Sequence, residues 1–202
     1  MLLFFVYRKF RKSAWKRLSM NEKLTYLNEV EKHMAKKQKR NALPVVVDTH
    51  ATLDQLGHLT LVNGKPRNIA IGLPVLEDPL YRFIALSTIF HEGRHAFQYS
   101  VVSKPIRWYQ FTYKKWKENW NGYIESAENK TVYQMQVLER DAQNYAIEQM
   151  KKRSFTYRNE EDYLRTMKIL HNVYEQAELD AIKELGIFYK WKVRNNIKKK
   201  RQ

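Results

Sequence analysis

The chain has 202 residues, no cysteine and a formal net charge of +16 at pH 7. A chain of this length fits one domain with a single hydrophobic core. The absence of cysteine excludes disulfides and thiolate metal ligands, so any metal site must be built from His, Asp and Glu.

The positive charge is concentrated at the two ends. Residues 1–40 carry twelve Lys or Arg against three Glu, and residues 190–202 carry seven against none, whereas the middle is neutral. Basic ends attract nucleic acid or an anionic membrane surface without specificity, although a solvated, solubilising surface is an equal alternative. We therefore divide the chain into a basic N-terminal helical segment (1–42), a central domain (43–189) and a basic C-terminal tail (190–202).

The first seven residues are apolar, but they are too few to span a bilayer. Basic residues follow this run rather than precede it, which is the wrong order for a secretory signal. A helix packed on its own domain is favoured over an amphipathic anchor on a membrane surface. We expect a cytoplasmic location, although a chain without cysteine also suits secreted bacterial proteins.

Apolar periodicity predicts five helices. They cover about 3–17, 20–39, 79–100, 127–152 and 159–185. The second begins at a capping box, Ser19 to Glu22, and the third begins at Asp78-Pro79.

Residues 43–72 alternate like three short strands, and Asn63-Gly64 predicts a hairpin between the last two. The stretch 105–123 is a connector, partly helical over 108–120, in which Tyr and Trp alternate with Lys. Packing of these aromatic residues in the core is favoured over a stacking surface for single-stranded nucleic acid. The order of elements predicts an α+β fold that is mostly helical, with a small antiparallel sheet before the helix 79–100.

The motif H-E-x-x-H occupies residues 91–95, within that helix. Histidines four residues apart project from one helical face, so His91 and His95 can both bind one zinc ion. Glu92 is offset by one residue and can reach a zinc-activated water as general base. Two inward-facing histidines with a Glu between them are harder to explain as ordinary core residues than a single histidine would be.

Glu139 is the best candidate for the third ligand. It shares a helical stripe with Met135, Ala142 and Ala146, so its carboxylate should face the core, where burial is costly unless it is paired or bound to metal. The alternative is a rim residue that forms an ion pair with a neighbour. Asp141 points elsewhere on this helix and is a candidate acceptor behind a ligand histidine.

The two motifs together, H-E-x-x-H and the later E-x-x-A-x-x-x-A, resemble gluzincin-like metallopeptidases, including IrrE/ImmA-type proteins. The continuation 94–98, R-H-A-F-Q, resembles small zincin-like proteins of phages and mobile elements. The resemblance covers roughly residues 57–150 and implies a zincin fold, the same ligands and the same general base. Gln143 stands where the pattern usually has Asp or Asn, and its amide is a second candidate acceptor behind a ligand histidine.

The resemblance also implies that the strand before the catalytic helix pairs with an extended substrate. That strand would comprise Arg67, Asn68, Ile69, Ala70, Ile71 and Gly72; the alternative is an ordinary hairpin strand covered by a loop. An oxyanion donor is expected too, and Tyr133, Tyr109 and His171 are the candidates. The sequence gives His33, His50 and His58 no partner pattern.

The predicted function is a zinc endopeptidase with one zinc ion per chain that hydrolyses a peptide bond in a protein substrate. One alternative is a secreted toxin or effector metalloprotease with the same site. The other is a non-catalytic protein that binds nucleic acid or a membrane through its basic ends and carries a structural or degenerate metal site.

Overall fold

The structure is a computed structural model, and it describes residues 2–52, 56–104, 110–124, 128, 130–157 and 159–172. Predictions for Tyr109, for helix 159–185 beyond residue 172 and for the tail 190–202 lie outside these residues.

Nine α-helices occur in the described ranges. They are α1 (Leu2–Arg8), α2 (Lys12–Trp15), α3 (Met20–Gln38), α4 (Leu73–Glu77), α5 (Arg82–Ser103), α6 (Gln110–Asn121), α7 (Lys130–Met135), α8 (Val137–Lys151) and α9 (161–172). Short 3-10 turns lie at Pro79–Tyr81 and Ser154–Thr156. Among the described helices, none is both long enough and apolar enough to cross a lipid bilayer.

Helix α3 confirms the predicted helix 20–39 and its capping box, in which Ser19 and Glu22 bond each other's backbone N–H groups. The prediction of one helix over 3–17 is wrong, because the chain turns between α1 and α2. The turn stacks the Phe10 ring on Trp15, with centroids 5.0 Å apart. It also frees the Phe10 carbonyl to accept a hydrogen bond from Arg82 (2.7 Å).

The helix predicted over 79–100 is present as α5, which begins after a 3-10 turn. The Asp78 carboxylate accepts a hydrogen bond from the Leu80 N–H there (2.8 Å), as expected of a capping residue. The helix predicted over 127–152 is interrupted instead of continuous. Gln136 has an extended backbone (φ −59°, ψ 147°) and separates α7 from α8.

The sheet has three strands, β1 (Val45–Asp48), β2 (Gly57–Val62) and β3 (Lys65–Gly72), in the order β1-β3-β2. The β2–β3 hairpin is confirmed, with left-handed backbone at Asn63 (φ 51°) and Gly64 (φ 69°). The expected antiparallel sheet is corrected to a mixed one, because β1 runs parallel to β3. β3 lies between β1 and β2, because it pairs with both of them.

This strand order corrects a second prediction. Residues 69–72 do not form an exposed edge, because they pair with β1 on one side and lie against β2 on the other. Arg67 and Asn68 lie beyond the end of the pairing with β1. Within the described part of the chain, the sheet edge nearest the H-E-x-x-H motif is β2. The Gly72 N–H donates a hydrogen bond to the Leu56 carbonyl (3.1 Å). Because hydrogen-bonded and non-hydrogen-bonded residues alternate along an antiparallel pair, the backbone N–H and C=O groups of Gly57 and Leu59 point away from β3.

Helix α5 occupies the centre of the fold and contacts α3, α8 and the sheet. The main hydrophobic cluster includes Phe10 and Leu27 from the N-terminal helices together with Ile71 from β3 and Phe90 from α5. A smaller cluster joins α5 to α6 and α8. The N-terminal helices therefore share one core with the segment that carries H-E-x-x-H.

Candidate metal centre

Helices α5 and α8 bring three potential ligands together. His91 and His95 lie one turn apart on α5, and their Nε2 atoms are 3.0 Å apart. Glu139, in the first turn of α8, has Oε2 at 3.2 Å from His91 Nε2 and Oε1 at 3.2 Å from His95 Nε2. The predicted ligand triad thus converges on one point and could hold a metal ion.

The electrostatics of the triad favour an ion pair between an ionised Glu139 and a protonated His95. Burial alone would raise the pKa of Glu139, but the adjacent imidazoles outweigh it and hold that pKa well below its ordinary value. Burial alone would lower the pKa of His95, yet the Glu139 carboxylate raises it to about 9. Any cation that binds here therefore competes with a proton on His95.

Gln98 fixes the orientation of His95. Its Oε1 lies 2.7 Å from His95 Nδ1, while its Nε2 donates to the Leu138 carbonyl (2.9 Å) and to Asp141 Oδ2 (2.8 Å). Because both amide protons of Gln98 face acceptors, its oxygen is the atom that faces the ring. His95 Nδ1 therefore carries the proton, and its Nε2 is directed at Glu139.

The two residues predicted to stand behind a ligand histidine lie elsewhere. Asp141 contacts Gln98 and receives two hydrogen bonds from Arg94 (2.7 and 3.1 Å), so it acts on His95 only through Gln98. Gln143 donates to the Leu170 carbonyl (3.1 Å), away from the triad. Gln98 was missed as a functional residue, although it lies three residues after His95, at a spacing that brings side chains together on a helix.

A cavity of about 330 Å³ opens beside the triad. It is lined by Gly57, His58, Leu59, Leu61, Glu92, His95, Trp120, Tyr123 and Tyr133. Glu92, the predicted general base, is only 8 % exposed. Burial raises the pKa of its carboxyl above the ordinary value, and the charges of His91 and His95 oppose that rise.

Two tyrosines border the cavity. The Tyr123 hydroxyl donates a short hydrogen bond to Glu139 Oε1, and its ring lies 6.0 Å from that of Tyr133. Burial, reinforced by the Glu139 charge, raises the pKa of both phenols, so both remain neutral hydrogen-bond donors. Tyr123 was missed, since no spacing in the sequence links it to α8.

The other candidate residues are less close to the triad. His171 is exposed on α9 and does not line the cavity. His58, which received no role from the sequence, does line the cavity, and its Nδ1 lies 3.8 Å from Asp48 Oδ2. Of the two proposed oxyanion donors that the structure describes, Tyr133 is thus the one at the cavity wall.

Comparison of the chain with protein-family models, with curated proteins and with solved structures found no match. The resemblance to zincin-type peptidases therefore depends on the residues and contacts described above.

Proposed function

We propose that this protein is a zinc-dependent endopeptidase of the zincin type. The observation that carries the proposal is the convergence of His91, His95 and Glu139 beside a cavity that contains Glu92. In peptide hydrolysis, His91, His95 and Glu139 would hold the metal and Glu92 would move the proton. The four side chains come from α5 and α8.

The donor set suits zinc. Two imidazoles and one carboxylate form the His2Glu set of catalytic zinc sites, which leave a fourth position open. Ligand atoms at about 2.0–2.1 Å from a tetrahedral ion are separated by about 3.3 Å. The two Nε2 atoms are 3.0 Å apart, and each lies 3.2 Å from a different oxygen of Glu139. With one ligand atom taken from each residue, the three atoms lie within 4.8 Å of one another, so small side-chain movements would bring them to that value.

Zinc, when bound, supplies the Lewis acidity that activates water and polarises the scissile carbonyl. Glu92 accepts the proton of the attacking water and delivers it to the leaving nitrogen. Its raised pKa favours both halves of this task, because a carboxylate with a pKa nearer neutrality both takes up and releases a proton readily.

The substrate backbone binds along β2. Gly57 and Leu59 line the cavity, and their backbone groups point away from β3, so an extended peptide can pair with this edge. Tyr133, as a neutral phenol at the cavity wall, donates a hydrogen bond to the oxygen that gains charge during attack.

The test compares Glu92→Gln with the parent protein. Both are loaded with zinc and incubated with a library of unfolded peptides, and cleavage is followed by mass spectrometry. We expect Glu92→Gln to lower the cleavage rate by roughly 10²–10⁴-fold while zinc content stays at one per chain. His91→Ala and Glu139→Ala should lose zinc itself.

Glu148→Gln is the matched control, because Glu148 is an exposed residue of α8 whose carboxylate contacts only Lys152 among the described ion pairs. It should leave both rate and zinc content unchanged. A parent protein that binds zinc but cleaves no peptide, or a Glu92→Gln variant that cleaves at the parental rate, would exclude the proposed mechanism.

A further inference from the structure

Helix α1 has two apolar sides, and only one of them faces the core. Val6, Tyr7 and Phe10 are buried at 7 %, 5 % and 0 % exposure. Phe4 and Phe5 lie on the opposite side and are 44 % and 56 % exposed. One side of α1 is therefore buried in the domain, whereas about half of the surface of each Phe ring is exposed to solvent.

Exposed cations follow the two Phe residues. Arg8, the last residue of α1, lies one helical turn after Phe4, with its guanidinium 5.8 Å from the Phe4 ring centre. Arg11 and Lys12 come after the turn, at the start of α2. All three are exposed. We call Phe4, Phe5, Arg8, Arg11 and Lys12 together the aromatic-basic face.

The charge around this face is of one sign. Residues 1–21 contain six Lys or Arg and no Asp or Glu. Among the described residues, the acidic group that forms an ion pair with this face is Asp162, which lies 3.9 Å from Lys12 Nζ and also binds Arg82 (2.7 Å). The carboxylate is thus shared with a buried arginine, so the net field of the face is positive.

We infer that the aromatic-basic face docks on an anionic lipid surface. The two Phe rings insert below the headgroups while Arg8, Arg11 and Lys12 contact the lipid phosphates. The domain then lies on the membrane without crossing it. Charge complementarity selects an anionic surface, and the adjacent Phe rings favour lipid over nucleic acid, whose phosphates and base edges need polar partners.

The experiment measures sedimentation of the full chain with vesicles. One set contains phosphatidylcholine alone, and the other contains about one third phosphatidylglycerol. We expect binding to the anionic vesicles only, and a loss of that binding in about 0.5 M salt, where charges are screened.

Two variants separate the contributions of the rings and the charges. Phe4→Ser with Phe5→Ser keeps every charge and should lower the partition coefficient about tenfold or more. Arg8→Gln with Lys12→Gln keeps both rings and should lower it about fivefold for each charge removed. Arg11 is left in place, because its Nε donates to the Thr156 carbonyl (3.1 Å) and stabilises the fold.

Leu164→Ser with Ile169→Ser is the matched control, because it removes two exposed apolar side chains (58 % and 41 % exposed) from α9. It should bind like the parent protein. Circular dichroism melts establish that all variants fold, and Phe5→Ser alone serves if the double variant does not.

Three results would overturn the inference. The first is equal binding to neutral and anionic vesicles, and the second is parental binding by the double Phe variant, which would assign the attraction to charge elsewhere in the chain. The third is an absence of vesicle binding together with retention of duplex DNA that falls only in the Arg8 and Lys12 variant.

Discussion

Gln98 shows at the scale of single residues how one side chain can orient another that is proposed to bind a metal. Its two amide protons are held by the Leu138 carbonyl and by Asp141, so its oxygen is the group presented to His95. The hydrogen bond to Nδ1 fixes both the tautomer and the orientation of the His95 ring. Its Nε2 therefore already points at the candidate metal centre, and the ring needs no further ordering when a metal binds.

Replacing Gln98 with Ala should therefore weaken zinc binding about 10–100-fold, the usual effect of losing a group behind a ligand histidine. The measurement is competition with a chromophoric chelator. Gln143→Ala is the control, since that amide binds the Leu170 carbonyl and should not affect zinc affinity. Equal affinities in the two variants would show that Gln98 does not position His95.

Some residues of the candidate site could be predicted from local helical geometry, and others could not. The convergence of His91 and His95 follows from their spacing, and the inward direction of Glu139 follows from its small and apolar stripe. Tyr123 could not be found in this way, because it follows α6 and its contact with Glu139 on α8 has no counterpart in a local spacing. Asp141 was placed on the right helix, but its contacts depend on Arg94 and Gln98 across the helix interface.

At the scale of elements, Gly93 determines how closely α3 approaches α5. A Cβ atom at Gly93 would lie 1.9 Å from Met34 Cε, 2.9 Å from Glu31 Oε2 and 3.0 Å from Arg40 Nη2. Glu31 and Arg40 form a buried ion pair (2.6 Å) and cannot move apart without exposing a charge to apolar surroundings. Gly93, which lies between the two proposed metal ligands His91 and His95, thus also determines how α3 and α5 pack.

Gly93→Ala should lower the free energy of unfolding by about 1–3 kcal/mol, as overpacking usually does. Denaturation in urea measures the change. Gly122→Ala is the matched control, because the nearest atom to a Cβ there, the Glu118 carbonyl oxygen, is 3.7 Å away. If Gly93→Ala proved as stable as this control, α3 and α5 would have room to separate.

Element positions were predictable where local patterns determine them. The capping box at Ser19 and the Asn63-Gly64 turn both depend on neighbouring residues, and both are present. The break at Gln136 depends on distant ones: its amide forms two hydrogen bonds with the backbone of Ile124, and Asn119 accepts from the Leu138 N–H (3.0 Å). Periodicity continues through this point, so sequence alone predicted one helix.

At the scale of the whole molecule, Arg82 joins three parts of the chain. Its side chain is fully buried and donates to the Phe10 carbonyl and to the Pro79 carbonyl (both 2.7 Å). It also pairs with Asp162 (2.7 Å) and with Glu160, at the start of α9. The N-terminal helices, the start of α5 and α9 therefore meet at one guanidinium. Sequence patterns could not predict this junction, because Phe10, Glu160 and Asp162 are 72 to 80 residues away from Arg82 along the chain.

Arg82→Met should lower the free energy of unfolding by about 3 kcal/mol. This value is at the low end of the usual destabilisation for a broken buried ion pair. The side chains of Glu160 and Asp162 are 24 % and 16 % exposed, so their carboxylates can be partly hydrated once Arg82 is removed. Arg67→Met, at an exposed position of β3, should change stability by no more than about 0.5 kcal/mol.

Adding Glu160→Gln and Asp162→Asn to Arg82→Met distinguishes lost packing from unpaired charge. If the cost comes from leaving two carboxylates without their cation, the triple variant should recover a large part of the lost stability in urea denaturation. If it recovers nothing, the stabilisation lies instead in the hydrogen bonds that Arg82 donates to the Phe10 and Pro79 carbonyls. In that case α1 and α2 should become sensitive to protease before α9 does, because the Phe10 carbonyl anchors them to α5.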